Sequence, residues 1–228
     1  MRVRGFGLNR PVTTSIGILG GAGPAGRGLA ARLASAGYNV VLGSRTIERA
    51  AEVAAEVEVR GVGLVSGATN DDAATCDVVI VATPWDGAVS TVSALRASLA
   101  NKVVISMVNA LTKQGRELVP LIPPRGSMTA EIAAALPNSK VTGAYHHLPA
   151  ADMENLDSGL TADVLVVGDD KDARAVTIEL TNAMEGLTAI EAGSLALAGA
   201  VESFTAVCIS VNIRHKAHTS VRLEGFPR

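Results

Sequence analysis

Three groups of residues in this chain have types and spacing that could do chemistry. Gly21, Gly23 and Gly26 follow the G-x-G-x-x-G spacing, with the apolar run Ile16 to Leu19 before them and an amphipathic stretch after. In that setting the first glycine permits a tight turn. The second removes a side chain where a pyrophosphate approaches the backbone, and the third lets a helix pack close to a strand. The helix start, with Ala22, Pro24 and Ala25 in the turn, offers unpaired N–H groups and a partial positive charge to phosphate. The second group is Ser44, Arg45 and Arg49, just past the next apolar run. An NAD site has an acidic residue about 20 positions beyond the glycines to accept from the ribose 2′-hydroxyl. A hydroxyl and two guanidinium groups there would instead hold a 2′-phosphate through charge-assisted contacts, which favours NADP. The third group is His146 and His147, delivered at the end of the run Val141 to Tyr145.

These groups need a scaffold, and the apolar pattern supplies one. Ile16 to Gly20, Asn39 to Leu42, Val62 to Val65, Asp77 to Thr83, Val103 to Ser106, Val141 to Tyr145 and Val164 to Val167 read as strands. Val78 to Ala82 is apolar throughout, as a parallel strand buried on both faces must be. Helices are expected after Gly23, from Thr46, at Asn70, over Trp85 to Leu99 behind Pro84, after Ser127, after Asp169 or Asp170, and from near Ser194. Met107 to Arg125, with Pro120, Pro123 and Pro124, reads as a long irregular segment. Alternating strands and helices predict an α/β fold with a doubly wound Rossmann-type parallel sheet. In such sheets ligands lie beyond the carboxyl ends of the strands, where His146 falls.

Composition narrows the classes. The 228 residues are 48% hydrophobic and only 3% aromatic, with net charge −2, so a large aliphatic core is available. There is no basic run with interleaved aromatics, so a nucleic-acid groove is not expected. Cys76 and Cys208 are far apart and read as buried reduced thiols, which suits a cytoplasmic protein. No C-x-x-C or H-E-x-x-H spacing predicts a metal site. Asp169, Asp170 and Asp172 read as a charged helix start. Arg2, Arg4 and Arg10 precede no apolar segment, so residues 1–15 read as an N-terminal extension rather than a signal peptide. Leu195 to Ile213 is long enough to cross a bilayer, but it carries Glu202, Ser203, Thr205, Ser210 and Asn212. It reads as a buried or subunit-interface helix, with Leu197, Val201, Phe204, Cys208 and Val211 on one stripe.

Taken together, Gly20-Gly21-Ala22-Gly23, Gly43-Ser44-Arg45, Thr83-Pro84-Trp85, His146-His147-Leu148-Pro149-Ala150-Ala151, Asn155-Leu156-Asp157, Val167-Gly168-Asp169-Asp170, Gly186-Leu187 and Val201-Glu202-Ser203 give a specific pattern. The sequence resembles the NADPH-dependent coenzyme F420 reductases, the F420:NADP oxidoreductases. The resemblance implies an NADP-binding Rossmann domain at 16–168 and a small helical C-terminal domain at 169–228 that closes a cleft for the deazaflavin. It implies that Ala22 to Ala25 line the pyrophosphate, with Gly21 and Gly26 in the same cofactor-binding turn, and that Ser44, Arg45 and Arg49 take the 2′-phosphate. Thr83, Asn109 and Ala150 would lie along the nicotinamide half, while His146 and Leu148 face the deazaflavin, with His146 as the hydrogen-bonding catalytic group. A cytoplasmic homodimer is expected. The chain departs from the family at Ala22, commonly Thr, at Pro24, usually Asn, and over Met107 to Ala110. Two other readings use the same scaffold: an NADP-dependent reductase of a flavin or imine, and a non-catalytic NADP redox sensor with a cleft plugged by side chains.

Overall fold

The computed structural model describes residues 14–57 and 64–226. The proposed extension lies almost wholly outside the described residues, as does the start of the expected strand at Val62. In chain order the elements are β1 (Ser15–Leu19), α1 (Pro24–Ser35), β2 (Asn39–Ser44), α2 (Ile47–Glu56), β3 (Val65–Thr69), α3 (Asn70–Ala73), β4 (Val78–Val81), α4 (Trp85–Ala94) and α5 (Arg96–Leu99). There follow β5 (Val103–Ser106), β6 (Leu111–Gln114), β7 (Glu117–Pro120), α6 (Met128–Ala135), β8 (Lys140–Gly143), α7 (Ala150–Glu154), β9 (Ala162–Gly168), α8 (Lys171–Ala183), β10 (Leu187–Gly193) and α9 (Ala198–His215).

The main sheet has eight strands in the order β10-β9-β8-β5-β4-β1-β2-β3. From β3 through β8 all pairings are parallel, and the order 3-2-1-4-5 followed by one more strand is that of a dinucleotide-binding sheet. The expected doubly wound, Rossmann-type parallel sheet is present, and its far edge adds one detail. β9 runs antiparallel to β8, and β10 is parallel to β9, so the sheet is mostly parallel with one reversed edge.

β4 explains the two-sided core. Val78 and Ile80 face a cluster with Ile16, Ile18, Leu29, Leu33 and Ile105. Val79 and Val81 face the other, with Val92, Leu99, Val104, Ile132 and Leu136. Successive side chains alternate across a strand, so an unbroken apolar run is required wherever helices cover both faces.

Other expectations shift. The helix read as Trp85 to Leu99 breaks at Leu95 into α4 and α5. The third strand runs over Val65–Thr69. In α2 the buried residues are Ala50 and Val53, while Ile47 is half-exposed. Met107 to Arg125 is not irregular throughout: β6 and β7 form an antiparallel hairpin around Gly115. The segment 169–228 supplies a strand, β10, as well as helices. Its apolar stripe divides, because Val201 and Cys208 are buried whereas Leu197, Phe204 and Val211 are exposed. Both cysteines are free and buried.

Candidate active site

The turn between β1 and α1 is built by glycines, one place earlier than the spacing suggested. Gly20 carries the left-handed backbone, φ 68°. A Cβ on Gly26 would lie 2.6 Å from Gly21 Cα, so the third glycine does let α1 sit against the turn. Gly23 caps α1 with no side-chain cap, and no acidic residue occupies the first turn. The helix start is therefore left open to an external anion. Pro24, at the first position, contributes no N–H and so removes one donor.

Beyond the carboxyl ends of β1, β2, β4 and β5 lies one cavity of about 900 Å³. It sits where the strand order reverses, between β1 and β4. Gly20, Ala22, Gly23, Pro24 and Ala25 form its floor, and Ser44 and Arg45 border it beyond β2. Asn70 borders it at the start of α3. Thr83, Trp85, Asp86 and Thr91 come from the end of β4 and from α4, and Met107, Val108 and Asn109 follow β5. Among the lining residues Arg45 is the cation and Asp86 the carboxylate. The Thr83 hydroxyl on this wall is buried without a hydrogen-bond partner. An orphaned hydroxyl beside an uncapped helix start suits a polar, phosphorylated ligand. The cavity is open rather than filled by side chains, the geometry expected of an enzyme and not of a plugged sensor.

Not every expected residue reaches this cavity. Arg49 does not line it; its guanidinium donates to Glu52 at 2.6 Å along α2. The 2′-phosphate clamp read from the sequence thus presents one guanidinium here, that of Arg45. Gly21 and Gly26 shape the turn from beneath. Ala150 opens α7, which packs on α1, and Leu148 packs against the core beside β1.

His146 lies behind the wall. It is 4% exposed, and neither ring nitrogen has a hydrogen-bond partner of good geometry. Burial, reinforced by His147 and weakly opposed by the Val108 backbone, pushes its pKa down to about 3, so the ring is neutral. Its backbone carbonyl does reach the cavity wall. That oxygen accepts from Asn109 Nδ2 at 2.8 Å and from Thr205 Oγ1 at 3.0 Å. His147 follows His146 in the turn after β8 rather than in a strand, and its Nε2 donates to the Asp163 carbonyl at 2.8 Å. His218 pairs with Asp152 at 2.9 Å, away from the cavity. Asp170 caps α8 by accepting from Ala173 N, and Asp169 accepts from Leu195 N, so these carboxylates serve backbone ends.

α9 is also pinned to α6, by a second polar contact that the sequence reading did not assign. The buried Glu202 carboxylate accepts from Met128 N at 2.8 Å, Thr129 N at 2.9 Å and Thr129 Oγ1 at 2.7 Å. It thereby closes the N-terminus of α6. Burial raises this carboxyl above its usual range, although the three donors pull the other way. Asn70, Asp86, Thr91 and Met107 are also cavity residues the sequence reading missed. For Asn70, Asp86 and Met107 the signal was position, since each follows the carboxyl end of a strand or lies in the first turn of the helix after it; Thr91, two turns into α4, had no such signal.

Residues 15–110 match the family model described as "NADP oxidoreductase coenzyme F420-dependent". The chain is 36% identical to an F420-dependent NADP reductase of Methanocaldococcus jannaschii, over 92% of this chain and 98% of that one. It is 33% identical to an F420-dependent NADP reductase of Methanothermobacter thermautotrophicus, over 93% and 95%. Among solved structures, a provisionally assigned F420-dependent NADP reductase of Arthrobacter sp. superposes with TM-score 0.76. Its identity is 22%, over 92% of this chain and 99% of that one, so this likeness speaks for the fold.

Proposed function

The chain belongs to the F420-dependent NADP reductase family, and from that premise we propose which of its residues serve the reaction. The reaction is reversible hydride transfer between NADP(H) and the deazaflavin coenzyme F420, and the protein is an oxidoreductase. The observation that carries the residue assignment is the continuous cavity from Arg45 to Asn109 across the carboxyl ends of the strands. Its size falls in the range of small-molecule sites, roughly 300–1,000 Å³.

When bound, the nicotinamide and the deazaflavin supply the redox chemistry, a two-electron transfer between C4 of one and C5 of the other. The chain's residues bind, orient and exclude water. The open first turn of α1, with Ala22, Gly23 and Ala25, takes the pyrophosphate. Ser44 and Arg45 take the 2′-phosphate, and Arg49 joins them only by leaving Glu52. Thr83 and Asn109 hold the nicotinamide end, and Ala82, Met107 and Val108 wall it from water. His146 serves this end through its carbonyl, which fixes the Asn109 amide. A direct hydrogen bond from its ring to the deazaflavin would require the imidazole to turn out of its buried site. Leu148 and Ala150 act from behind the wall, by packing.

Residues 16–168 form the nucleotide half in this reading, and 169–228 brace the other side through α9, whose Thr205 holds the His146 carbonyl behind Asn109 and whose Glu202 holds the start of α6. The exposed apolar row Phe204, Val207 and Val211 on α9, with Leu197 just before it, supports a homodimer through α9. Two free buried thiols support a cytoplasmic location. Mixing the protein with NADPH and F420 and following the deazaflavin's visible absorbance tests the activity. A rate no greater than that of the enzyme-free mixture would reject it.

A further inference from the structure

We propose that Asn70 is a specificity-determining contact for NADP, presenting its amide N–H group to the phosphorylated ribose. This rests on the assignment of the cavity to NADP. Three elements converge on this side chain. Its Oδ1 accepts from Gly20 N at 3.1 Å, which ties the start of α3 to the turn after β1. A Cβ on Gly43, near the end of β2, would lie 2.7 Å from the same oxygen, so Gly43 leaves room for Asn70 to reach the turn. α3 itself is fixed by a capping box, in which Thr69 Oγ1 accepts from Asp72 N and Asp72 Oδ2 accepts from Thr69 N. Asn70 is thus held in one place.

That arrangement also fixes which way the amide faces. Gly20 N–H can only donate, so the Asn70 oxygen must meet it and Nδ2 must take the opposite edge. Among the described residues Nδ2 has no hydrogen-bond partner, and the half-buried side chain borders the cavity beside Ser44 and Arg45. The constellation at this end of the cavity therefore offers a guanidinium, a hydroxyl and an amide N–H group. Donor groups gathered in this way suit an anion, and a 2′-phosphate presents only acceptor oxygens to them.

Asn70→Asp separates this role from scaffolding. The aspartate keeps the shape and an oxygen for Gly20 N, but it replaces the donor edge with a second carboxylate oxygen. Nucleotide fluorescence titrations of the whole protein with NADPH and with NADH are the readout. Loss of one hydrogen bond to a charged group corresponds to about 10- to 100-fold in affinity, so the NADPH Kd should rise by about that factor. The NADH Kd should move less than about threefold, within ordinary context dependence of one contact. Asn70→Ala, which adds no charge, should weaken NADPH in the same selective way. Affinities for the two nucleotides that fall together, or that both stay put in folded variants, overturn the proposal. A wild-type protein without preference for NADPH over NADH overturns the cavity reading and this inference with it. Wild-type preference that survives in Asn70→Asp overturns the inference alone.

Discussion

Replacing His146 by phenylalanine should change how stability depends on pH. In the wild-type fold the imidazole is 4% exposed, has no hydrogen bond of good geometry at either ring nitrogen, and has its pKa pushed from 6.5 down to about 3. A histidine with a depressed folded pKa binds its proton more readily in the unfolded chain. Between pH 6.5 and pH 3 the unfolded state therefore holds more protons, and stability falls as the pH falls. Each pH unit in that window costs about 1.4 kcal/mol, so going from pH 7.5 to pH 5 removes about 2 kcal/mol through this residue alone. Phenylalanine cannot titrate. At pH 7.5 the variant should lie within about 1 kcal/mol of wild type, because exchanging a polar ring with no hydrogen bond of good geometry for an apolar one costs little. At pH 5 the variant should be relatively more stable by about 2 kcal/mol. His147 and Glu202 also shift on folding, but they remain in both proteins, so the difference between the two curves isolates His146. Urea denaturation at several pH values measures it. Parallel wild-type and variant curves would refute the reasoning, since they would mean that the ring titrates alike in folded and unfolded chains and is not sealed behind the cavity.

Two further outcomes follow from the site. Arg45→Ala should raise the Kd for NADPH by about 10- to 100-fold, the worth of a hydrogen-bonded charge contact, and leave NADH binding nearly unchanged. Equal losses in the same titration would remove Arg45 from the 2′-phosphate. Glu202→Ala leaves two backbone donors and one hydroxyl buried without their acceptor, so denaturant unfolding should show a loss of about 3–5 kcal/mol. A loss under about 1 kcal/mol would mean that water reaches the N-terminus of α6 and that α9 is not held there.

The parts of the fold that were legible in the sequence are those whose causes are local. β4 announces itself because a strand covered on both faces must be apolar at every position, and Val78 to Val81 are. α1 is bracketed by Gly23 before it and by Gly37, φ 93°, after it. The elements that escaped lack such constraints. β6 and β7 are half-exposed or exposed strands rich in polar residues, and the prolines at 120, 123 and 124 argue for irregular chain. β10 lies at the sheet edge, partly exposed, with a register shift between Glu191 and Gly193, so neither a clean alternation nor an apolar run marks it.

The same distinction divides the site. The end of the cavity proposed for the phosphates is written in spacing, because a turn, a helix start and the end of the neighbouring strand need only nearby residues of the right kind. Arg45 could be read from its place after β2, whereas Arg49 could not, because Glu52 one turn further along α2 competes for it. The other end has no comparable signature. There the Asn109 amide is fixed by the carbonyl of His146, 37 positions away, and that same carbonyl accepts from Thr205, 59 positions further on. A backbone oxygen has no residue identity, so no motif could assign it this task. The sequence pointed to the His146 ring, facing the deazaflavin; in the structure the imidazole is buried, and it is the peptide oxygen that meets Asn109 on the cavity wall. Any substitution at 146 that preserves the backbone path should therefore leave Asn109 in place, which makes the phenylalanine variant a test of burial that does not dismantle the cavity.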